Sequence, residues 1–210
     1  MGVLVSAGSG VTIAADEVGS AGAPSSGQKL QYVKLDHGAA GSSSPVTVLN
    51  PLPTGDVLQW IQVTPTLDTS AYASGDLLCD VTTITAAALG TGGAAELVSV
   101  ILCDQDDQKV AMDLYISNLS TTWGTFNAAP TLADAGGLGI QAIIPIASGD
   151  WKDLGGVAVA QPRLAQSIGI VCETSGSANL YMTLVNGAGT PTFTASGLKI
   201  SFGFRQVAVS

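Results

Sequence analysis

From about Asp56 to the end of the chain, short apolar runs recur at regular intervals. Each run is closed by Gly, Asn, Asp, Ser or Pro. This rhythm constrains the fold more than any other feature, because short strands cut by turn residues build sandwiches and barrels. The runs are "VLQWIQVTPTL", "GDLLCDVTTIT", "AELVSVILCD", "KVAMDLYISNL", "IQAIIPIA", "GGVAVAQP", "QSIGIVCE", "ANLYMTLVNG" and "GLKISFGFRQVAVS". They amount to about eight or nine strands. "AELVSVILCD", "QDDQ" and "KVAMDLYISNL" together predict a hairpin. In its second limb Val110, Met112, Leu114 and Ile116 face one way, and Ala111, Asp113 and Tyr115 the other. That period of two marks a half-buried strand. No amphipathic helix is convincing, and "DVTTITAAALGTGGAAEL" is the one place for a short one. "STTWGTFNAAPTLADAGGLG" reads as a long loop. The fold class is all-β: a jelly-roll-like antiparallel β-sandwich of two four-stranded sheets over residues 55–210, preceded by an extended arm over residues 1–54.

The arm has a different texture. "VLVS", "GVTIAA", "KLQYVKLDHG" and "VTVL" are strand fragments separated by glycine, by the flexible "AAGSSSP" and by the breaker "NPLPTG". Such a segment is too sparse to bury a core of its own.

Charge excludes several functions. Sixteen acidic residues against seven basic ones give a formal charge of −9. The basic residues are scattered, so no patch exists to neutralise phosphates. Neither nucleic acid nor an anionic membrane is an expected partner. No run approaches the roughly 18 apolar residues of a membrane span. The N-terminus lacks the basic region and sustained apolar core of a signal peptide. "MGVLVS" matches only the start of a myristoylation pattern. Charged residues make up 11% of the chain, against roughly 25% in an average soluble domain. A surface so poor in charge suits contact with protein neighbours, or a coat of Thr, Ser, Ala and Gly.

Chemistry is sparse. His37 is the single histidine and lies in the Gly- and Ser-rich arm, where no scaffold holds an imidazole for a triad. Asp104, Asp106 and Asp107 crowd one turn, but the central Gly and terminal Glu of a calcium loop are missing. Cys79, Cys103 and Cys172 sit in apolar runs and read as buried strand thiols. "GLGIQ" and "GTGGAAEL" lack the strand–loop–helix context of a phosphate cradle. Trp60 lies in a strand-like run that favours the core. Trp123 and Trp151 lie in loop-like stretches where exposure would allow a glycan contact. No catalytic residue, metal ligand or cofactor is assigned, and the chain is not expected to be an enzyme.

Three arm motifs, "VTIAADEV" at Val11 to Val18, "QYVKL" at Gln31 to Leu35 and "NPLPT" at Asn50 to Thr54, resemble a segment near the N-termini of tailed-bacteriophage virion proteins. The resemblance covers roughly the first 55 residues well and the following 65 loosely, through "SAYASGDLL" and "VSVILCDQDDQKVAMDLYISN". It implies a structural role in the virion, in head, neck or tail, and a surface poor in charge and rich in small residues favours the capsid, as a decoration or cement protein on the virion surface, made in the bacterial host cytoplasm. The implied partners are the major capsid protein and copies of the chain itself, as a homotrimer. The arm contacts would come from Val11, Ile13, Gln31, Tyr32, Val33, Leu35, Pro51, Leu52 and Pro53. A tail, neck or fibre component, and a receptor- or carbohydrate-binding sandwich, are the alternatives.

Overall fold

The computed structural model describes residues 57–164 and 170–206, with a two-residue antiparallel pair, β1 (Asp36–His37) and β2 (Ser44–Pro45), ahead of them. The chain divides into two units, Met1–Thr54 and Gly55–Ser210. The second unit contains β3 (Val57–Val63), β4 (Leu77–Ile84), β5 (Ala94–Asp104), β6 (Met112–Ser117), β7 (Ile140–Ile146), β8 (Trp151–Asp153), β9 (Ala158–Ala160), β10 (Ile170–Glu173), β11 (Leu180–Asn186) and β12 (Leu198–Gln206).

All pairings are antiparallel. One sheet runs β3-β12-β5, and the far edge of β5 is shared: β10 pairs with its first half, β9 and then β8 with its end. The other sheet runs β4-β11-β6-β7. With the β8–β9 hairpin taken as an insertion, the eight remaining strands form β3-β12-β5-β10 against β4-β11-β6-β7. Successive strands alternate between sheets except at β6–β7, which gives the double Greek key of a jelly roll. The expected architecture is present, with two extra strands added to one of the two expected four-stranded sheets.

Alternation builds the core. In β12 the residues Leu198, Ile200, Phe202 and Phe204 all point inward and are fully buried, as are Met112, Leu114 and Ile116 of β6. Phe202 and Phe204 stack with ring centroids 6.0 Å apart. The interior is filled by these side chains together with Leu97, Leu102 and Ile144. A second packing point lies at Tyr72, buried against Phe193. Its hydroxyl donates to the Leu78 carbonyl (2.9 Å), and burial pushes the phenol up to about 12.

Three expectations are corrected. β5 and β6 do not form a hairpin. β5 belongs to one sheet and β6 to the other, because the intervening turn is a corner. Asp104 is fully buried there, and its carboxylate accepts from the Asp106 N–H (3.0 Å) and the Lys109 N–H (2.8 Å). Asp107 and Lys109 adopt φ of +55° and +51°, a conformation that side-chain-bearing residues take when surrounding contacts hold them in it. The short helix lies at Asp134–Gly137, inside the segment read as loop, while "AAALGTGG" is a turn between β4 and β5. Trp151 opens a strand, β8, that is too short to stand out in the sequence.

Candidate interaction surface

The two outer faces of the sandwich differ. On the four-stranded sheet, residues 118–139 fold back across the face. Trp123 packs on Tyr115 of β6 with ring centroids 4.8 Å apart. Asp80 of β4 fixes this segment: one carboxylate oxygen accepts from the Trp123 N–H (2.8 Å), the other from the Thr122 hydroxyl (2.7 Å). The segment also exchanges backbone bonds with Leu77, through Asn127 N–H and Ala128 C=O. Burial alone would raise the Asp80 carboxyl. Hydrogen bonds from the Trp123 N–H, the Thr122 hydroxyl and the Val81 N–H outweigh it and hold the carboxyl below its ordinary value.

A prediction follows from that sign. A depressed folded pKa stabilises fully above the unfolded value of about 3.9 and is lost as pH falls through the lower folded value. Asp80→Ala should therefore remove about 1.5–3 kcal/mol near neutral pH and open residues 118–133 to protease. Cleavage mapped by mass spectrometry checks this. The wild-type chain should come to resemble the variant only in strong acid, and equal protease resistance of the two at neutral pH would refute the anchoring role.

The other sheet carries no such cover among the described residues. Its outer face presents Leu58 (76% exposed), Trp60 (55%) and Val98 (39%). Trp60 lies opposite Gly203 of β12, and its indole occupies the space above that glycine. A Cβ at position 203 would sit 2.9 Å from the ring, so glycine here makes the shelf on which the tryptophan lies. Val98 is extruded by a bulge: Ser99 faces Gly203 and Leu97 faces Phe204, leaving Val98 between them. One end of the face is closed by the Arg205–Glu96 ion pair.

The tryptophans thus exchange the places expected for them. Trp60, expected in the core, is more than half exposed. Trp123 and Trp151, expected to be accessible, are 5% and 6% exposed. Trp151 is held by its indole N–H, which donates to the Val110 carbonyl (2.8 Å). Neither buried ring offers a face to a sugar. The signal that could have found Trp60 is the outward parity it shares with Leu58 on β3, opposite a glycine on the last strand.

The acidic turn is structural. Asp104 holds the corner, Asp106 accepts from the Thr194 N–H (2.7 Å) and hydroxyl, and Lys109 Nζ bridges Asp107 (3.1 Å) and Asp153 (2.7 Å). Hydrogen bonds to Asp153 and Asp107 raise the Lys109 ammonium, and the Lys109 bond lowers Asp153. Among the described residues no group of three or more His, Cys, Asp or Glu is placed to hold a metal ion. Cys79 and Cys172 are buried and Cys103 partly so. Burial pushes the first two thiols up to about 12, far from a reactive thiolate. The expected arm contacts, Val11, Ile13, Gln31, Tyr32, Val33, Leu35, Pro51, Leu52 and Pro53, lie outside the described residues, and so does the His37 side chain.

No family model and no curated protein matches the chain. Among solved structures, one of Desmodium yellow mottle tymovirus aligns at 10% identity over 80% of this chain and 97% of that one, with a TM-score of 0.25. One of turnip yellow mosaic virus aligns at 12% identity over 80% and 89%, also at 0.25. The infectious bursal disease virus VP2 subviral particle aligns at 13% identity over 86% and 43%, at 0.18. At such scores the likeness carries no argument about this chain.

Proposed function

We propose that this chain is a structural virion protein, and in particular a non-enzymatic capsid decoration or cement protein. It would bind the major capsid protein through residues 1–54, as a homotrimer on the particle surface. The observation that carries the reading is the jelly roll itself, joined to the three N-terminal motifs. Jelly rolls recur as viral capsid domains, lectins and cupins, and fold alone does not choose among them. A cupin-like role needs polar ligands projecting into the roll, and here the interior is filled by Phe202, Phe204, Leu97 and Leu102. A lectin reading built on Trp123 and Trp151 loses its platform, because both rings are buried. The motifs at Val11–Val18, Gln31–Leu35 and Asn50–Thr54 favour the virion reading. A chain with 11% charged residues also suits a surface shared with neighbours.

The mechanism is energetic. Arm strands add to neighbouring subunits, backbone pairing supplies register, and several attachments per particle give avidity. The test is copy number per purified particle, measured by quantitative mass spectrometry against the major capsid protein. Hundreds of copies in a simple ratio to the shell protein are expected. Between three and a few dozen would move the chain to the neck or tail, and absence from particles would refute the virion reading. Deleting residues 1–54 should leave a folded sandwich that no longer binds particles. Full occupancy by the truncated chain would refute the role of the arm.

A further inference from the structure

The exposed strand edges of the sandwich are unequally defended against strand addition. β7 contains Pro145, which has no N–H to offer, and its Gln141 side chain is bonded to the Glu173 backbone. The first residue of β4, Leu77, is already paired with Asn127 and Ala128. β8 has three residues, two of them charged, Lys152 and Asp153. Among the described residues β3 has none of the usual protections. "VLQWIQV" carries no charge and no proline, and it pairs with β12 without a register shift. No strand among the described residues pairs with its outer edge. Trp60 lies back over Gly203 and Gln62 reaches toward Ser201, so neither side chain screens the edge.

We propose that β3 is a self-pairing strand, joining a second copy of this chain antiparallel and in register about Trp60. Charge permits a copy of the chain at this place. Two copies at a formal charge of −9 each repel over most of their surfaces, and β3 holds none of the acidic residues. The strand also complements itself. Centred on Trp60, the pairing sets Val57 against Val63, Leu58 against Gln62, Gln59 against Ile61 and Trp60 against itself. Every pair keeps its side of the sheet, Leu58, Trp60 and Gln62 outside and Val57, Gln59, Ile61 and Val63 inside. The sheet then runs on from one subunit to the next, and the two Trp60–Leu58 patches meet over the join as one isologous interface. The inference rests on the geometry of β3 and not on the virion reading, and a trimer built on another surface is compatible with it.

Directly opposed residues of an antiparallel pair lie about 4.5–5.5 Å apart at Cα, within disulfide reach. The full chain carrying Cys103→Ser and Trp60→Cys should therefore form a disulfide-linked dimer under mild oxidation, read on a non-reducing gel. Adding Leu58→Asp, which places two more acidic side chains at the join of two acidic copies, should cut that yield about tenfold while the far-ultraviolet circular dichroism stays unchanged. A mixture of Leu58→Cys and Gln62→Cys chains, in the Cys103→Ser background, should give disulfide-linked mixed dimers, with each alone giving no disulfide-linked dimer on the gel. This second design leaves Trp60 in place. Absence of both the Trp60→Cys dimer and the mixed dimer would overturn the proposal, as would a yield that Leu58→Asp does not change.

Discussion

Asp104→Ala should lower the stability of the sandwich by about 3 kcal/mol, the cost of leaving two part-buried N–H groups without the carboxyl acceptor they had. For a chain of this size that is a fall in melting temperature of about 6–12 °C, measurable by circular dichroism. The residue is fully buried and both of its oxygens accept. Asp104→Asn should therefore fail to rescue, since its amide nitrogen would confront an N–H where an oxygen is required. A loss below about 1 kcal/mol in both variants would mean that water can replace the carboxylate and that the backbone alone makes the corner.

Phe202→Ala should cost about 3–5 kcal/mol, from lost transfer free energy and the cavity left behind. The ring sits at the centre of β12, between Ile61 of β3 and Val100 of β5 in register, and stacks on Phe204. Its neighbours are anchored by their own strand pairings and cannot collapse into the space. Phe202→Leu should recover more than half of the loss. Trp60→Ala is the contrast: a larger side chain, more than half exposed, whose removal from the isolated chain should cost far less. If the two alanine variants melted together, the division into a core-facing and an outward-facing side of the β3–β12 ladder would be wrong.

These residues also show how far the sequence could be read. Parity along a strand is local, so the buried set of Met112, Leu114 and Ile116 was legible from β6 alone. Which sheet a strand joins is not local. "AELVSVILCD" and "KVAMDLYISNL" alternate as a hairpin would, but the Asp104 carboxylate turns the chain between sheets, and nothing in the alternation records that turn. The tryptophans fail for the same reason. Trp60 owes its exposed shelf to Gly203 on the last strand, and Trp123 owes its burial to Asp80 on β4, each far away along the chain. β8 was missed because three residues carry too little pattern. The arm motifs were legible as motifs, but the contacts expected of them lie outside the described residues.

Gln141 has a wider consequence. Its amide donates to the Glu173 carbonyl (2.9 Å) and accepts from the Glu173 N–H (2.7 Å), as a peptide unit of a neighbouring strand would. One side chain thereby stitches β7 to β10 across the gap between the sheets. The eight strands of the roll then read as a single belt, from β3 through β12, β5, β10, β7, β6 and β11 to β4, with its two loose ends at β3 and β4. A belt sewn on one side has a hinge and a mouth. In the monomeric chain, breathing of the sandwich should begin at the mouth and leave the stitched side shut, so amide hydrogens of β3 and β4 should exchange before those of β10 and β7.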